Sequence, residues 1–415
     1  MTTELPWRAR IAVGLARVVG TVARRAGRHG SVLGGRVATL LDRRVLHRLA
    51  AGRTVVLVTG TNGKTTTTSM IARVLGGGAA TNHLGANMPD GITTALLDHP
   101  AARVAVMEVD ESYLAEVAAA TAPRVVVLLN FSRDQLDRVG EVRTVARRVG
   151  DAVAAHPGAT VVAFADDVLC AGAGLRAARP LWVSADPARW AGSARWTGDA
   201  GVCPRCDAAV AHAGARWTCR GCGLTRPPAD WVLHDDGPTV TGPDGTSTPL
   251  ELALPGHANR LNATFALAVG AELGVEPAVA AARLRGLEQV GGRYRTVSRP
   301  GGSTRLLLAK NPAGWAQVLD LLADGPPRPV VVAVNSREAD GRDVSWLWDV
   351  PFERLAGHPL VVAGERAADV SVRLAYAGVA HRVADDAVAA TRDVVGPVDL
   401  VGNYTAFHDA ARGLS

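Results

Sequence analysis

Residues 54–68 read Thr-Val-Val-Leu-Val-Thr-Gly-Thr-Asn-Gly-Lys-Thr-Thr-Thr-Thr, and this stretch constrains the chain more than any other. Val55 to Val58 form a short β-branched, apolar run of the kind a buried parallel strand uses. Gly60, Asn62 and Gly63 break it, and Lys64-Thr65 opens a segment with Met70, Ile71, Val74 and Leu75 at helical spacing. A strand, a glycine loop and Lys-Thr at a helix start are how a chain cradles phosphate: backbone N–H groups converge on the anion and the helix dipole favours its charge. Lys64 is placed to reach the terminal phosphates, and the Thr65 hydroxyl to hold Mg²⁺. The general phosphate loop carries a further glycine where this chain has Val58, so the cradle here is the shorter Gly60-Thr61-Asn62-Gly63-Lys64-Thr65-Thr66.

Of the 45 Lys and Arg residues only Lys64 and Lys310 are lysine. Arginine serves wherever charge alone suffices, so a retained lysine points to a site that needs a compact ammonium. At 415 residues the chain holds two or three domains, and 20% charged with 48% hydrophobic residues suits a globular, water-soluble protein. No apolar run is long enough to span a bilayer, and Arg17, Arg24 and Arg25 interrupt any signal-peptide core, so a cytoplasmic protein is expected. The net charge of +6 is uneven: residues 1–53 carry eleven arginines against Glu4 and Asp42. That pattern fits an anionic neighbour, either a membrane surface or a phosphate-bearing substrate, or else a solvated helix face. Residues 5–50 read as one or two amphipathic helices, with Ile11, Leu15, Val18, Val19 and Val22 as the apolar stripe and Arg10, Arg17 and Arg24 off it. The stripe would either pack on the main body or meet a membrane.

Strands and helices then alternate. Val104 to Met107 is a second buried strand, ending in Glu108-Val109-Asp110-Glu111. A carboxylate at the C-terminal end of a parallel strand lies where α/β sheets bind ligands, which makes Glu108 a candidate Mg²⁺ ligand; an acid cluster at a helix start is the alternative. Further strands are expected at Val125–Leu129, Val161–Phe164 and Leu181–Val183, and beyond residue 298 at 306–308, Val330–Val334, Leu360–Gly364 and 398–402. The repeated βα pattern predicts an α/β protein with mainly parallel sheets and helices on both faces.

Residues 195–232 depart from it. Cys203-Pro204-Arg205-Cys206 is followed by Cys219-Arg220-Gly221-Cys222, two Cys-x-x-Cys knuckles spaced for a four-thiolate structural Zn²⁺ site. A pair of disulfides is disfavoured in a cytoplasmic chain. Trp217 and Arg205 are too few for a stacking platform, so no nucleic acid is expected. Cys170, in Val168-Leu169-Cys170-Ala171, reads as a small buried hydrophobe.

Gly60-Thr61-Asn62-Gly63-Lys64-Thr65 resembles the ATP loop of the Mur ligase family. Asn130-Phe131-Ser132-Arg133-Asp134-Gln135-Leu136-Asp137 is similar to the family's Asn-x-x-x-Asp-His-Leu-Asp, with Gln135 where histidine is frequent. Gly256-His257-Ala258-Asn259-Arg260-Leu261-Asn262 is similar to its Gly-x-His-Asn-x-x-Asn element, with Ala258 at the histidine position. The resemblance implies that Asn259 and Asn262 meet adenine and that Arg293 meets the ATP phosphates. Leu306 to Pro312 aligns with the family's Asp-Asp-Tyr-Ala-His-Asn-Pro: Leu306 and Leu307 replace the acids and Lys310 replaces histidine. The implied organisation is a basic helical segment over 1–53, an ATP-binding middle domain over 54–297 with a zinc ribbon inserted at about 195–232, and a C-terminal Rossmann-like domain over 298–415.

Three features narrow the resemblance: the ribbon, the stretch Asp340-Gly341-Arg342-Asp343-Val344-Ser345-Trp346-Leu347-Trp348-Asp349, and the arginine-rich 1–53 where the family usually has a UDP-sugar domain. The combination resembles the branch of the family that amidates D-glutamate in the lipid II stem peptide. The resemblance implies ATP-dependent formation of an acyl phosphate, and ammonia from a glutaminase partner of the GatD type. No Gly-x-Cys-x-Gly elbow is present, so nitrogen must come from outside this chain. Of the two acids, Asp349 is the favoured assistant to the partner's Cys-His pair and Asp343 the second choice. With Lys64 committed to the loop and Lys310 in the other domain, no lysine is evident for the carbamylated metal ligand of some Mur ligases. A stand-alone amino-acid-adding Mur or folylpolyglutamate-type ligase, and a non-catalytic ATP-binding scaffold, remain as alternatives.

Overall fold

The computed structural model describes residues 7–25, 32–82, 86–133, 141–185, 201–213, 216–288 and 294–414. The first large sheet has nine strands: β1 (Thr54–Thr59), β2 (Ala80–Thr81), β3 (Val104–Glu108), β4 (Val125–Leu128), β5 (Thr160–Phe164), β6 (Pro180–Ala185), β9 (Trp231–His234), β10 (Thr239–Thr241) and β11 (Ser247–Pro249). Its order is β11-β10-β9-β6-β5-β4-β1-β3-β2. All pairings are parallel up to β9, and β10 and β11 close one edge as an antiparallel meander. β7 (Val210–Ala213) and β8 (Arg216–Cys219) form a separate two-stranded ribbon.

Strand β1 shows why the sheet is buried on both sides. Val55 and Leu57 enter one core with Ile92, Leu96, Met107 and Leu114, while Val56 and Val58 enter the other with Met70, Ile71, Val74 and Phe265. Successive side chains point to opposite faces, so a continuous apolar run needs helices above and below. The Lys64–Val74 and His257–Glu272 helices cover one face, and the Pro89–Asp98, Leu114–Thr121 and Val142–Ala154 helices the other. This is the α/β architecture the sequence predicts.

The second sheet contains β12 (Tyr294–Arg299), β13 (Gly302–Leu308), β14 (Val330–Ala333), β15 (Leu360–Ala363), β16 (Arg382–Val383) and β17 (Gly396–Gly402) in the order β12-β13-β17-β14-β15-β16. Only the β12–β13 pairing is antiparallel. The sheet is again sandwiched: Leu307 and Val332 face one core, Leu306 and Val331 the other. Leu306 and Leu307 are thus structural.

The three helices Trp7–Arg25, Leu33–Leu41 and Val45–Ala50 precede β1. The expected apolar stripe does not face the body: Ile11, Leu15, Val18 and Val22 are about half exposed or more, and Val19 is partly buried. The buried side is Ala9, Ala12, Val13, Ala16 and Gly20. Small residues let the backbones approach; a Cβ on Gly34 would lie 3.0 Å from Ala16 O and one on Gly35 1.8 Å from Asp90 O. Among the described residues no helix is long and apolar enough to cross a membrane.

One buried ion pair ties β13 to β17. Arg305 Nε and Nη2 donate to Asp399 Oδ1 and Oδ2 at 2.6 and 2.8 Å, and Asp399 is 1% exposed. Removing one partner strands the other charge in the sheet. Asp399→Ala is expected to lower unfolding stability by roughly 3–5 kcal/mol in denaturant titration, and Arg305→Met with Asp399→Leu to recover much of the loss.

Candidate active site

The phosphate loop is held in shape before any ligand arrives. Gly60 and Gly63 have φ of +130° and +87°, conformations that side chains resist. A Cβ on Gly60 would lie 3.0 Å from the backbone N and O of Asn130, and one on Gly63 2.8 Å from Asn262 Oδ1. Asn130, just beyond β4, straps the loop: its O accepts from Thr61 N at 2.9 Å, its Oδ1 from Asn62 N at 2.9 Å, and its Nδ2 donates to Asn62 O at 2.9 Å. Ser132 N donates to Thr61 Oγ1 at 3.0 Å, and Thr61 Oγ1 donates to Ser132 O at 3.2 Å. Preorganisation of this kind removes the entropy cost of ordering the loop around an anion.

The acids after β3 divide the work. Thr65 Oγ1 donates to Glu108 Oε2 at 2.6 Å, and both residues are buried. Asn82, beyond β2, fixes the Glu108 backbone from both sides, accepting from its N at 2.8 Å and donating to its O at 2.7 Å. Asp110 caps the next turn through Ser112 N at 3.0 Å. Glu111 Oε2 stands 3.4 Å from Lys64 Nζ, which also donates to Gly60 O at 2.6 Å. Lys64 is 7% exposed and folded back over its own loop. The hydroxyl of Thr65 and the carboxylate of Glu108 are two hard oxygens side by side at a helix N-terminus, a donor set suited to Mg²⁺.

Beside the loop a cleft of about 150 Å³ opens between the two sheet domains. One wall is Asn62, Gly63 and Thr66 with the start of the His257–Glu272 helix; the other is Tyr294, Leu307, Lys310, Gln317 and Asp320. Asn259 and Asn262 both line it, and Asn259 Nδ2 donates to Pro255 O at 2.6 Å. His257 and Arg260 share Asp235, through Nδ1 to Oδ2 at 2.6 Å and Nε to Oδ1 at 2.7 Å, which sets the entry of this helix. Where Leu306 and Leu307 offer the cleft no acid, Asp320 does, itself held by Arg354 Nη2 at 2.8 Å. The domains also meet through reciprocal amides, Asn62 Nδ2 to Asn311 Oδ1 and Asn311 Nδ2 to Asn62 Oδ1, both 3.3 Å. Arg293, and Asp134, Gln135, Leu136 and Asp137 of the stretch that begins at Asn130, lie outside the described residues.

Asp343 is spent on a local turn: Oδ1 accepts from Ser345 N at 2.8 Å and Oδ2 from Ser345 Oγ at 2.9 Å. Asp349 ends the Ser345–Asp349 turn, half-exposed, with Oδ2 3.3 Å from Arg133 Nη2 of the other domain. Leu347, 1% exposed, anchors this turn, with partly buried Trp346 packed on the same core. Trp348 points outward and stacks edge-on with exposed Tyr376, centroids 5.2 Å apart.

The four knuckle sulfurs lie within 4.8 Å of one another, with Cys203–Cys222 at 3.7 Å and Cys206–Cys219 at 3.4 Å. The N–H of Cys222, against an opposing push from burial, and then the N–H of Gly221 hold the Cys219 thiol down to about 6, while burial raises Cys203 and Cys206 is pushed up to about 11, against the N–H of Ala208, by the Cys219 and Cys222 sulfurs. The set fits one tetrahedral Zn²⁺. The ribbon rests on the first domain: Trp217 is buried and its Nε1 donates to Ala165 O at 3.0 Å, and Pro204 fills the space over Gly172. Cys170 is fully buried among helix and strand, and burial raises its thiol well above the ordinary range.

Sequence reasoning did not single out Asn82, Asn130, Ser132 and Asn311 as site residues. Their shared signal is position: each follows the carboxyl end of a parallel strand, where α/β sheets gather ligand-handling groups.

The description of the Mur ligase middle domain matches residues 58–179, and that of the MurT ligase C-terminal domain matches residues 308–407. Among solved structures, a pseudomurein peptide ligase type C from Methanothermus fervidus superposes with a TM-score of 0.70 at 17% identity, covering 90% of this chain and 80% of that one. The MurF ligase from Thermotoga maritima in complex with ADP gives 0.64 at 18% identity, covering 91% and 85%. With the loop and cleft described above, this fold defines a Mur-ligase-type enzyme. The lipid II isoglutaminyl synthase (glutamine-hydrolyzing) subunit MurT of Streptococcus pneumoniae is 31% identical over 392 residues, covering 86% of this chain and 84% of that protein. The chain belongs to the MurT family.

Two outcomes follow from this geometry. Lys64→Ala should reduce ATP turnover by roughly 10²–10³-fold or more while thermal unfolding changes little, since the Lys64 ammonium meets its own loop and, at 3.4 Å, Glu111 rather than the apolar core. Elemental analysis should find one Zn²⁺ per chain, and Cys203→Ser should lower both zinc content and the unfolding temperature, whereas a metal-free chain of unchanged stability would refute the knuckle assignment.

Proposed function

We propose that this chain is the ligase subunit of a two-subunit amidating enzyme, converting the D-glutamate α-carboxylate of a lipid II stem peptide to the carboxamide of D-isoglutamine. The observation that carries the proposal is the strapped phosphate loop beside a cleft completed by a MurT-type C-terminal domain. The name of the Streptococcus pneumoniae relative, a subunit of a glutamine-hydrolysing lipid II enzyme, supports both the acceptor and a separate glutaminase of the GatD type.

A carboxylate is a poor electrophile, so the glutamate oxygen first attacks the γ-phosphorus of ATP, giving an acyl phosphate and ADP. Ammonia then attacks the acyl carbon, phosphate leaves with the C–O bonding pair, and the nitrogen loses its proton. The Gly60–Thr66 loop receives the phosphates on its backbone N–H groups, and Lys64 and Arg293 offset the charge that develops. Thr65 and Glu108 would hold Mg²⁺, which when bound neutralises phosphate oxygens and orients them for in-line transfer. Thr66, Asn259 and Asn262 bind the nucleoside side of the cleft, and Lys310, Gln317 and Asp320 face them from the C-terminal domain. Cys203, Cys206, Cys219 and Cys222 would hold a structural Zn²⁺, which when bound would cross-link the two knuckles of the ribbon.

Asp349 is assigned to the partner's site. A carboxylate behind a histidine fixes its tautomer and stabilises its cation. The pairing of Asp349 with Arg133 is exposed on both sides, 39% and 35%, and such a pair is weak enough to be exchanged for a new partner. Asp343 is a poorer candidate, because both its oxygens are engaged by Ser345. The reaction is placed in the cytoplasm at the inner membrane face, where ATP and the lipid-linked acceptor meet. In the reconstituted complex, Asp349→Asn should depress glutamine-driven amidation at least tenfold while ammonium-driven amidation and ATP binding persist, by roughly the loss expected of a missing orienting carboxylate. Equal loss with both nitrogen sources would move Asp349 into ligation.

A further inference from the structure

The Trp7–Arg25 helix turns its large apolar side chains to solvent. Trp7 is 67% exposed, Ile11 51%, Leu15 49%, Val18 61% and Val22 61%. Their spacing of three and four residues puts them on one stripe along the helix. The other side, Ala9, Ala12, Val13, Ala16 and Gly20, already packs on the Leu33–Leu41 helix and the body. Packing among the described residues therefore leaves Ile11, Leu15, Val18 and Val22 unexplained. Val32, Leu40 and Leu41 are exposed nearby, so eight of the seventeen exposed large apolar side chains among the described residues lie in residues 7–41.

The charge on this segment has one sign. The helix carries five arginines and no acid, and Arg10 and Arg17 are exposed on it. Arg36, Arg43 and Arg44 are exposed just beyond. A protein partner could match the stripe, but an arginine excess interrupted between residues 7 and 44 by Asp42 alone asks for a broadly negative surface. Guanidinium groups bind phosphate oxygens in pairs, and a bilayer of anionic lipids presents phosphate in a plane above an apolar layer. An apolar stripe flanked by arginines on a helix too charged to cross is the pattern of a helix lying in that interface.

We infer that the Trp7–Arg25 helix is an interfacial anchor that seats the enzyme on an anionic lipid surface, with Ile11, Leu15, Val18 and Val22 among the acyl chains and the arginines at headgroup level. The inference rests on the helix alone and stands or falls separately from the amidation reaction. Seated this way, the enzyme would search for a membrane-bound acceptor in two dimensions.

Co-sedimentation of the full chain with vesicles tests it. The probes are phosphatidylcholine alone and phosphatidylcholine with roughly one-third phosphatidylglycerol. The wild-type chain should pellet with the anionic vesicles and only weakly with the neutral ones, and added salt should release it. Ile11→Glu/Leu15→Glu/Val18→Glu should cut partitioning roughly tenfold or more, and Arg10→Glu/Arg17→Glu should reduce binding on anionic vesicles towards the neutral level. All five positions face solvent, so the unfolding temperature and ATP turnover should not move. A wild-type chain that stays in the supernatant with both vesicles, or a triple variant that pellets like wild type, would overturn the inference. So would analytical ultracentrifugation in which the triple replacement splits a wild-type oligomer and vesicles bind neither form, because the stripe would then be a protein contact.

Discussion

Everything at the nucleotide end of this molecule depends on the backbone at Gly63. Its positive φ lets the chain turn from β1 into the Lys64–Val74 helix with N–H groups facing inward, and its missing Cβ leaves the space that Asn262 Oδ1 occupies. Any side chain there would strain the turn and push away the helix that forms the other wall of the cleft. One glycine thus sets both the loop's turn and the position of Asn262, which lines the cleft with Asn259. Gly60 does the same on the opposite flank, where the Asn130 backbone closes to the distance only a glycine permits.

Among the described residues, polar contacts lead from this loop to the C-terminal domain by two routes. Asn62 exchanges amide hydrogen bonds with Asn311, which also caps the Pro312–Ala323 helix through Gly314 N at 2.8 Å. Thr61 is bonded to Ser132, and the next residue, Arg133, reaches Asp349. Neutral amide bonds contribute about 1 kcal/mol each, and an exposed ion pair less. The contacts that align the domains are therefore weak beside the apolar cores that build them. A ligand that touched both walls of the cleft would favour the closed arrangement by its differential contacts. Asp349 sits at the end of a chain of contacts that begins at the phosphate loop.

The fold was legible because its sheets are parallel and buried on both faces. Runs such as Val55–Val58, Val125–Leu129 and Val330–Val334 have no other use in a chain of this composition, and Thr-Gly-Thr-Asn-Gly-Lys-Thr marks where the first one ends. The four cysteines were readable for a different reason, since metal knuckles are local. What was not readable depends on which neighbour a residue meets. Periodicity identified an apolar stripe on the first helix but not its direction, because alanine and glycine on the other side bury more easily against a second helix. Asn130 and Asn82 look like ordinary loop asparagines until β4, β1 and β3 stand side by side. Asp343 and Asp349 look alike in sequence; only the turn shows one bonded twice to Ser345 and the other turned towards Arg133.

The division of labour between lysine and arginine follows the same physics. Lys64 has to fit inside a loop whose carbonyl, Gly60 O, lies 2.6 Å from its ammonium, with Glu111 beyond. A point charge on a flexible stem can turn from that carbonyl to a phosphate; a planar guanidinium there would need a wider space and would hold its partners in a fixed fork. Arg133, Arg305 and Arg373 do the opposite work, spanning between elements: Arg133 to Asp349 across the domains, Arg305 to Asp399 across strands, Arg373 to Glu353 and the carbonyl of Val350. In a chain that has given almost every cationic position to arginine, the phosphate loop keeps lysine because reach and compactness, rather than charge, are what that position requires.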